Sequence, residues 1–181
     1  MINKSCYFCS SKNNEAYCII NKSIIEDCDN NCNYFGMVSA SPVFLSHVDQ
    51  LYTNASKSEK VEGFDNFAMH SNALYFINKT ADGHESIVTV EEMAKIIDLF
   101  YEGNVPDLRL LSCRAGALDS DDGVAQKLAN LLNIRVLAAR GVVNIYRDGD
   151  VTVTDPITGE ESKDESLWKI FNPNTDKEDD V

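Results

Sequence analysis

The run Leu108-Arg109-Leu110-Leu111-Ser112-Cys113-Arg114-Ala115-Gly116 decides the fold class. Its first part is a short apolar stretch of strand length, and it breaks at once into small and polar residues. A buried strand that ends this way carries its last side chains to the rim of a sheet. In open α/β sheets, ligand-binding and catalytic groups gather at that rim, the carboxyl ends of the strands. A second run, Phe64-Asp65-Asn66-Phe67-Ala68-Met69-His70, ends the same way at Ser71-Asn72, with His70 43 residues before Cys113. A thiol and an imidazole that end neighbouring strands form a candidate nucleophilic pair.

The segment between the two runs predicts how they pair. Thr89-Val90-Glu91-Glu92 is a capping box, with Thr89 as cap and Glu92 reaching back. The helix it opens carries Met93, Ile96, Ile97 and Phe100 on one face and ends near Gly103. Strand 64–69, this helix and strand 107–112 make a β-α-β unit, whose right-handed crossover leaves the strands parallel. His70 and Cys113 then lie at one edge, on strands ~4.8 Å apart or one strand further.

Further along, Asp119–Gly123 reads as a polar loop. A helix over 124–132 buries Val124, Leu128, Leu131 and Leu132 and ends at Asn133. Ile134–Ala139 is a third strand. Val142–Arg147 and Val151–Thr154 flank Asp148-Gly149, the signal of a two-residue hairpin. Pro156-Ile157-Thr158-Gly159 is another turn, and Ser166–Phe171 is a last apolar element in which Trp168 plugs the core. Upstream, Ser41 can cap a helix with Pro42 in its first turn, and Val43, Phe44, Val48, Leu51 and Tyr52 on its apolar face. Residues 54–62 read as a loop, Ala73–Ile77 as a short strand, and Asp82-Gly83 as part of a polar loop. The expected architecture is α/β: a mostly parallel sheet flanked by helices, with a C-terminal β-hairpin. Three segments are expected: a Cys-rich N-terminal segment over 1–36, the α/β domain over 37–173, and an acidic disordered tail over 174–181.

Composition narrows the function classes. The 16 basic and 29 acidic side chains leave a net charge of −13. Phosphate backbones are repelled by such a chain, which argues against nucleic acid and anionic membranes as partners. No apolar run approaches the ~20 residues of a membrane span. The first residues lack the apolar core of a signal peptide. The expected location is therefore the cytoplasm of the producing cell, with secretion or injection by a route that needs no cleaved signal as the alternative.

Five of the six cysteines fall in the first 32 residues: Cys6, Cys9, Cys18, Cys28 and Cys32. Cys6-x2-Cys9 and Cys28-x3-Cys32 are separated by 18 residues, inside the window for a four-cysteine zinc site. A metal clip suits a polar segment with too little apolar material to fold alone. Cys18 is then left over, or replaces one ligand. Disulfides in a secreted product and free thiols are the rival readings. Among the histidines, His47 falls on the expected first helix as a structural or solvent-facing residue, and His84 is a backup catalytic base.

Taken together, His70 at a strand end, the Leu-Leu-Ser-Cys-Arg-Ala-Gly run and the following helix with Ala125-Gln126-Lys127-Leu128-Ala129 resemble the caspase-like fold of clan CD cysteine peptidases. The similarity covers roughly residues 60–172. It is closest to the cysteine protease domains of large bacterial toxins and to related effector and polymorphic-toxin domains. The resemblance implies that Cys113 is the nucleophile and that His70 protonates the leaving amine. It implies an oxyanion hole made by the backbone N–H groups of Cys113 and of the residue after the histidine, which is Ser71 here where the family usually has Gly. It implies a protein or peptide substrate and no cofactor for catalysis. The toxin domains that bind inositol hexakisphosphate use a basic cleft, which 16 basic residues in an acidic chain do little to supply. Arg114, Arg140 and the acidic loop with Asp119, Asp121 and Asp122 are expected near the same edge, where an Arg selects acidic and an Asp basic side chains. Two alternatives stand beside the peptidase: a catalytically weak module that holds a host or partner protein in the same cleft, and a zinc-stabilised adaptor that makes contacts through its N-terminal segment.

Overall fold

A parallel pair of strands, residues 65–68 beside 108–111, lies at the centre of the molecule. The computed structural model describes the strands between residues 9 and 46, and then residues 50–79 and 85–174. In chain order the strands and helices are β1 (Cys9–Lys12), β2 (Glu15–Cys18), β3 (Ser23–Ile24), β4 (Tyr34–Val38), β5 (Ser41–Ser46), α1 (Gln50–Ala55), β6 (Asp65–Ala68), β7 (His70–Ser71), β8 (Phe76–Lys79), β9 (Glu85–Val88), α2 (Val90–Phe100), β10 (Leu108–Leu111), α3 (Val124–Leu132), β11 (Val136–Ala139), β12 (Val142–Ile145), β13 (Val151–Thr154), β14 (Glu161–Ser162) and β15 (Trp168–Phe171). The main sheet runs β15-β11-β10-β6-β5-β4-β1-β2-β3. Its neighbours β5, β6, β10 and β11 are parallel, and β15 closes one side antiparallel. Two small antiparallel sheets, β7-β8-β9 and β12-β13-β14, complete a mixed α/β fold that includes the expected C-terminal hairpin.

Strand register sorts the core into two halves. Leu108, Leu110, Phe67, Val136 and Ala138 share one face and pack with Met93 and Ile97 of α2 and Val124 and Leu128 of α3. Leu111, Ala68 and Ala139 share the other face, packed with Ala55 of α1 and with Val143, Ile145 and Val153 of the β12–β13 hairpin. A strand covered on both sides reads as a continuous apolar run, which is why Leu108–Leu111 lacks alternation.

The two longer helices start and stop for local reasons. The Glu92 backbone N–H donates to Thr89 Oγ1 at 3.2 Å, and the Thr89 N–H donates to Glu92 Oε2 at 2.9 Å, which is the expected capping box. Helix α3 spans Val124–Leu132 and ends at Asn133 in the left-handed conformation, φ 53°, a position asparagine tolerates better than most residues. The expected boundaries of α3 are reproduced, but its buried face is Val124, Ala125, Leu128 and Ala129: Leu131, expected in the core, lies off this stripe and is exposed, and Leu132 is only partly buried.

Other expectations need correction. The helix expected from Ser41 is a strand, β5, and the helix begins only at Gln50. Pro42, which suits a helix start, sits instead where the β4–β5 register shifts, a place in a sheet that tolerates a missing N–H. The strand expected over Ala73–Ile77 starts at Phe76. Asn72 forces a turn before it, its Oδ1 accepting from the backbone N–H groups of Leu74 (2.8 Å) and Tyr75 (3.0 Å). The hairpin at Asp148-Gly149 is longer than two residues: the Gly149 N–H closes a turn on the Tyr146 carbonyl, and the Tyr146 N–H bonds the Asp150 carbonyl. Within the expected tail, Asn174 is tied to Asn130 Oδ1 through its backbone N–H and to Asp121 through its side chain; residues 175–181 lie outside the described residues.

Arg109 is a charge inside the apolar run. It is 9% exposed, its guanidinium lies 4.5 Å from the Trp168 ring centroid, and one Nη donates to the Glu59 carbonyl at 3.3 Å. Its Nε has no partner among the described residues. Burial lowers its pKa to about 10. A shift of that size penalises the charged form by about 3 kcal/mol, more than the ~1–2 kcal/mol that a cation–π contact returns. The hydrogen bond to Glu59 offsets much of the remainder, so Arg109→Met, which keeps most of the buried stem, should lower the denaturation midpoint little, and less than Arg109→Ala, which also opens a cavity. Chemical unfolding of the three proteins decides this, and a loss in Arg109→Met equal to that in Arg109→Ala would contradict it.

Tyr101 gives a pH test. Its hydroxyl is buried without a partner among the described residues. Burial, with the Asp65 carboxylate second, holds its pKa well above tyrosine's ordinary 10.0. The unfolded chain releases this proton near that ordinary value while the fold retains it, so stability falls as pH rises past it. Tyr101→Phe should unfold at a higher pH than wild type and be at least as stable at neutral pH. Identical alkaline midpoints would show that Tyr101 does not govern the loss.

Candidate functional site

Strand register brings the two candidate residues to one edge. Leu111 pairs with Ala68 as the last matched position of β10 and β6. Cys113 and His70 each lie two residues beyond that pair, so they leave the sheet at the same level and the same end. Both are half-buried. His70 opens β7 opposite Ile77, and the Ser71 Oγ donates to the Cys113 carbonyl at 2.8 Å. The residue after the histidine thus clasps the residue proposed as nucleophile.

The loop after Cys113 folds down over the end of β11. The Arg114 N–H bonds the Gly141 carbonyl at 2.7 Å, the Gly116 N–H bonds the Ala139 carbonyl at 2.9 Å, and the Ala117 N–H returns to the Arg114 carbonyl at 3.0 Å. Gly116 is needed for this approach, because a Cβ there would lie 2.7 Å from the Ala138 carbonyl oxygen. Gly141 is tighter still: a Cβ would come within 1.9 Å of the Thr154 carbonyl oxygen. Helix α3 has no side-chain cap. Its first N–H groups instead bond rim carbonyls, Val124 to Ala73 (3.0 Å) and Ala125 to Ala115 (3.1 Å). One helix end therefore holds the loop that follows His70 and the loop that follows Cys113, and satisfies donors that would otherwise be orphaned.

Arg114 carries the strain of the rim. Its φ is 56°, in the left-handed region that costs a side-chain-bearing residue about 1–2 kcal/mol. Ser71, where the resembled family usually has glycine, lies in the β7 strand with no positive φ. The unusual backbone of this edge is thus directly after the cysteine rather than after the histidine. Strained backbone clusters at functional sites. The Cys113 Sγ faces the Val143 carbonyl oxygen of β12 at 3.7 Å, within range of a weak S–H bond.

The charged residues expected here form a network of their own. Lys169 Nζ lies 2.7 Å from Asp119 Oδ1, and an Arg140 Nη lies 3.8 Å from Asp119 Oδ2. The hydrogen bond from Lys169, followed by the charges of Lys169 and Arg140, lowers the Asp119 pKa. Asp119 and Arg140 are thus brought together, with Arg114 exposed on the neighbouring loop. Asp121 accepts from the Asn174 side chain rather than lining this group. Sequence reading missed Lys169, which lies inside an apolar strand pattern, and missed Val143 and Gly141, whose roles depend on backbone atoms. His47 and His84 lie outside the described residues, as do Cys6, Cys28 and Cys32; Cys9 is the first residue of β1.

This architecture defines a mixed α/β domain with a cysteine and a histidine at the carboxyl edge of its parallel strands. The family model described as Domain of unknown function (DUF8616) matches residues 40–153, and the chain belongs to that family. The match runs from β5 into β13 and includes both His70 and Cys113. No curated protein matches the chain.

The strain at Arg114 can be measured directly. Arg114→Gly should be more stable than Arg114→Val by about 2 kcal/mol, because only glycine is at ease at this φ and a β-branched residue is least so. Denaturant titration of the two variants is the check, and equal stabilities would contradict a left-handed residue at this point.

Proposed function

We propose that this domain is a cysteine peptidase of caspase-like type, probed best at the Cys113–His70 pair. The observation that carries the reading is the equal offset of the two residues past the Leu111–Ala68 pair on parallel strands. The Ser71 clasp on Cys113 and the strained Arg114 support it. In this mechanism the Cys113 sulfur attacks the scissile carbonyl carbon and forms a thioester. His70 delivers a proton to the departing amine nitrogen, and water then cleaves the thioester to release the acid and restore the thiol. The N–H groups of Cys113 and Ser71 are the oxyanion donors of this reading. The partner is a protein or peptide, no cofactor is used in catalysis, and the role is that of a bacterial effector or toxin. The Arg114–Asp119–Arg140 group is the candidate selector of charged substrate side chains.

A second reading rests on the Cys113 Sγ being turned to the Val143 carbonyl. On this reading the thiol is withdrawn from the cleft and the domain holds a partner protein there without cutting it.

Comparing a cell extract treated with wild type, Cys113→Ala and His70→Ala separates the two. The peptidase reading expects new protein N-termini with wild type, none with Cys113→Ala, and a yield lower by about 10²-fold or more with His70→Ala. Far-ultraviolet circular dichroism should be the same for all three, since both residues lie at the sheet rim. New N-termini that appear equally with Cys113→Ala would remove Cys113 as nucleophile. None with any protein, while partners are retained in a pull-down, would favour the binding module.

A further inference from the structure

We propose that Cys9 and Cys18 are a redox-active pair that closes into a disulfide across the β1–β2 hairpin, a site independent of the peptidase reading. The cysteine spacing alone leaves Cys18 as the odd residue beside a four-cysteine set. Strand register gives it a partner: β1 and β2 are antiparallel, and Cys9 stands directly opposite Cys18.

The register also sets the kind of pair. Lys12 is paired with Glu15, only two positions short of adjacency in sequence, and an antiparallel pair at that spacing is of the kind that exchanges both backbone hydrogen bonds. Pairs then alternate along the ladder. By that alternation the register makes Ser11–Ala16 a non-hydrogen-bonded pair, Ser10–Tyr17 a hydrogen-bonded one and Cys9–Cys18 a non-hydrogen-bonded one. Non-hydrogen-bonded positions bring Cα atoms to about 4.5 Å, inside the range of about 4.4–6.8 Å that a disulfide spans. Directly opposite residues also share one face of the sheet. A tetrahedral zinc site needs four ligands, whereas a disulfide needs only the two positions that the register supplies.

The chemistry balances with a low-molecular-weight disulfide as oxidant. The thiolate of one cysteine attacks that disulfide, forms a mixed disulfide and releases one thiol. The second cysteine displaces the remaining thiol, so Cys9–Cys18 gains one S–S bond while the oxidant is reduced to two thiols. This takes Cys9 out of the zinc set of Cys6, Cys9, Cys28 and Cys32, so zinc at that set and the disulfide exclude each other.

Oxidised glutathione added to the full chain is the test. After free thiols are blocked by alkylation, the protein is digested without reduction and mapped by mass spectrometry, with zinc measured on the same sample. The expected product is a Cys9–Cys18 linked peptide that is lost in both Cys9→Ser and Cys18→Ser, with no stoichiometric zinc. Linkage of Cys9 to Cys6, Cys28 or Cys32 would overturn the proposal. So would about one zinc per chain with Cys9 protected from both reagents, or full alkylation of Cys9 and Cys18 after oxidation. The wild-type peptide map decides the matter even if a serine variant folds poorly.

Discussion

The parallel pairing of β6 with β10 is the constraint from which the rest of the molecule follows. These strands are covered on both faces, by α2 and α3 on one side and by α1 and the β12–β13 hairpin on the other. Burial of both faces fixes the register, because a slip of one residue would exchange the two apolar clusters. The same register fixes where the strands end, and so sets His70 and Cys113 at one level. The site is therefore a consequence of core packing and not an independent feature laid over it.

What holds the rim is mostly backbone. The N–H groups of α3, the carbonyls of Ala73, Ala115, Ala139 and Gly141, and two glycines that admit no Cβ define the path on either side of Cys113. Side chains add to this frame: the Ser71 hydroxyl ties the end of one strand to the end of its neighbour, and Asn72 Oδ1 holds the turn after it. A left-handed arginine in this frame persists because the surrounding contacts determine it. This combination of rigid support and local strain is the physical ground for the catalytic reading. Membership of the DUF8616 family places the whole rim within a shared domain without assigning it an activity.

Elements with local signals were legible. The capping box at Thr89 and Glu92, the apolar period of α3, and the fully buried run of β10 each follow from a few neighbouring residues. Long-range placement was less so. Ser41-Pro42 fits a helix start as well as a bulged strand, and only its pairing with β4 and β6 decides. Asn72 outweighs the strand propensity of Leu74 and Tyr75 through two local hydrogen bonds. Cys113 and His70 stand out because strand ends are visible in sequence. Lys169 and Val143 do not, because their relation to the rim passes through strands distant in the chain. Arg109 reads as part of an apolar run, and its cost appears only once the face it occupies is known.

On the proposed peptidase reading, Cys113 and His70 act on one another as a pair. The most direct measurement is the second-order rate of Cys113 alkylation by iodoacetamide at neutral pH, followed at that residue by mass spectrometry. Cys113 is expected to react faster in the folded protein than in the denatured chain, and His70→Ala to remove this advantage. Slower reaction in the folded protein, with no change in His70→Ala, would contradict it and leave Cys113 as a packed thiol of the rim.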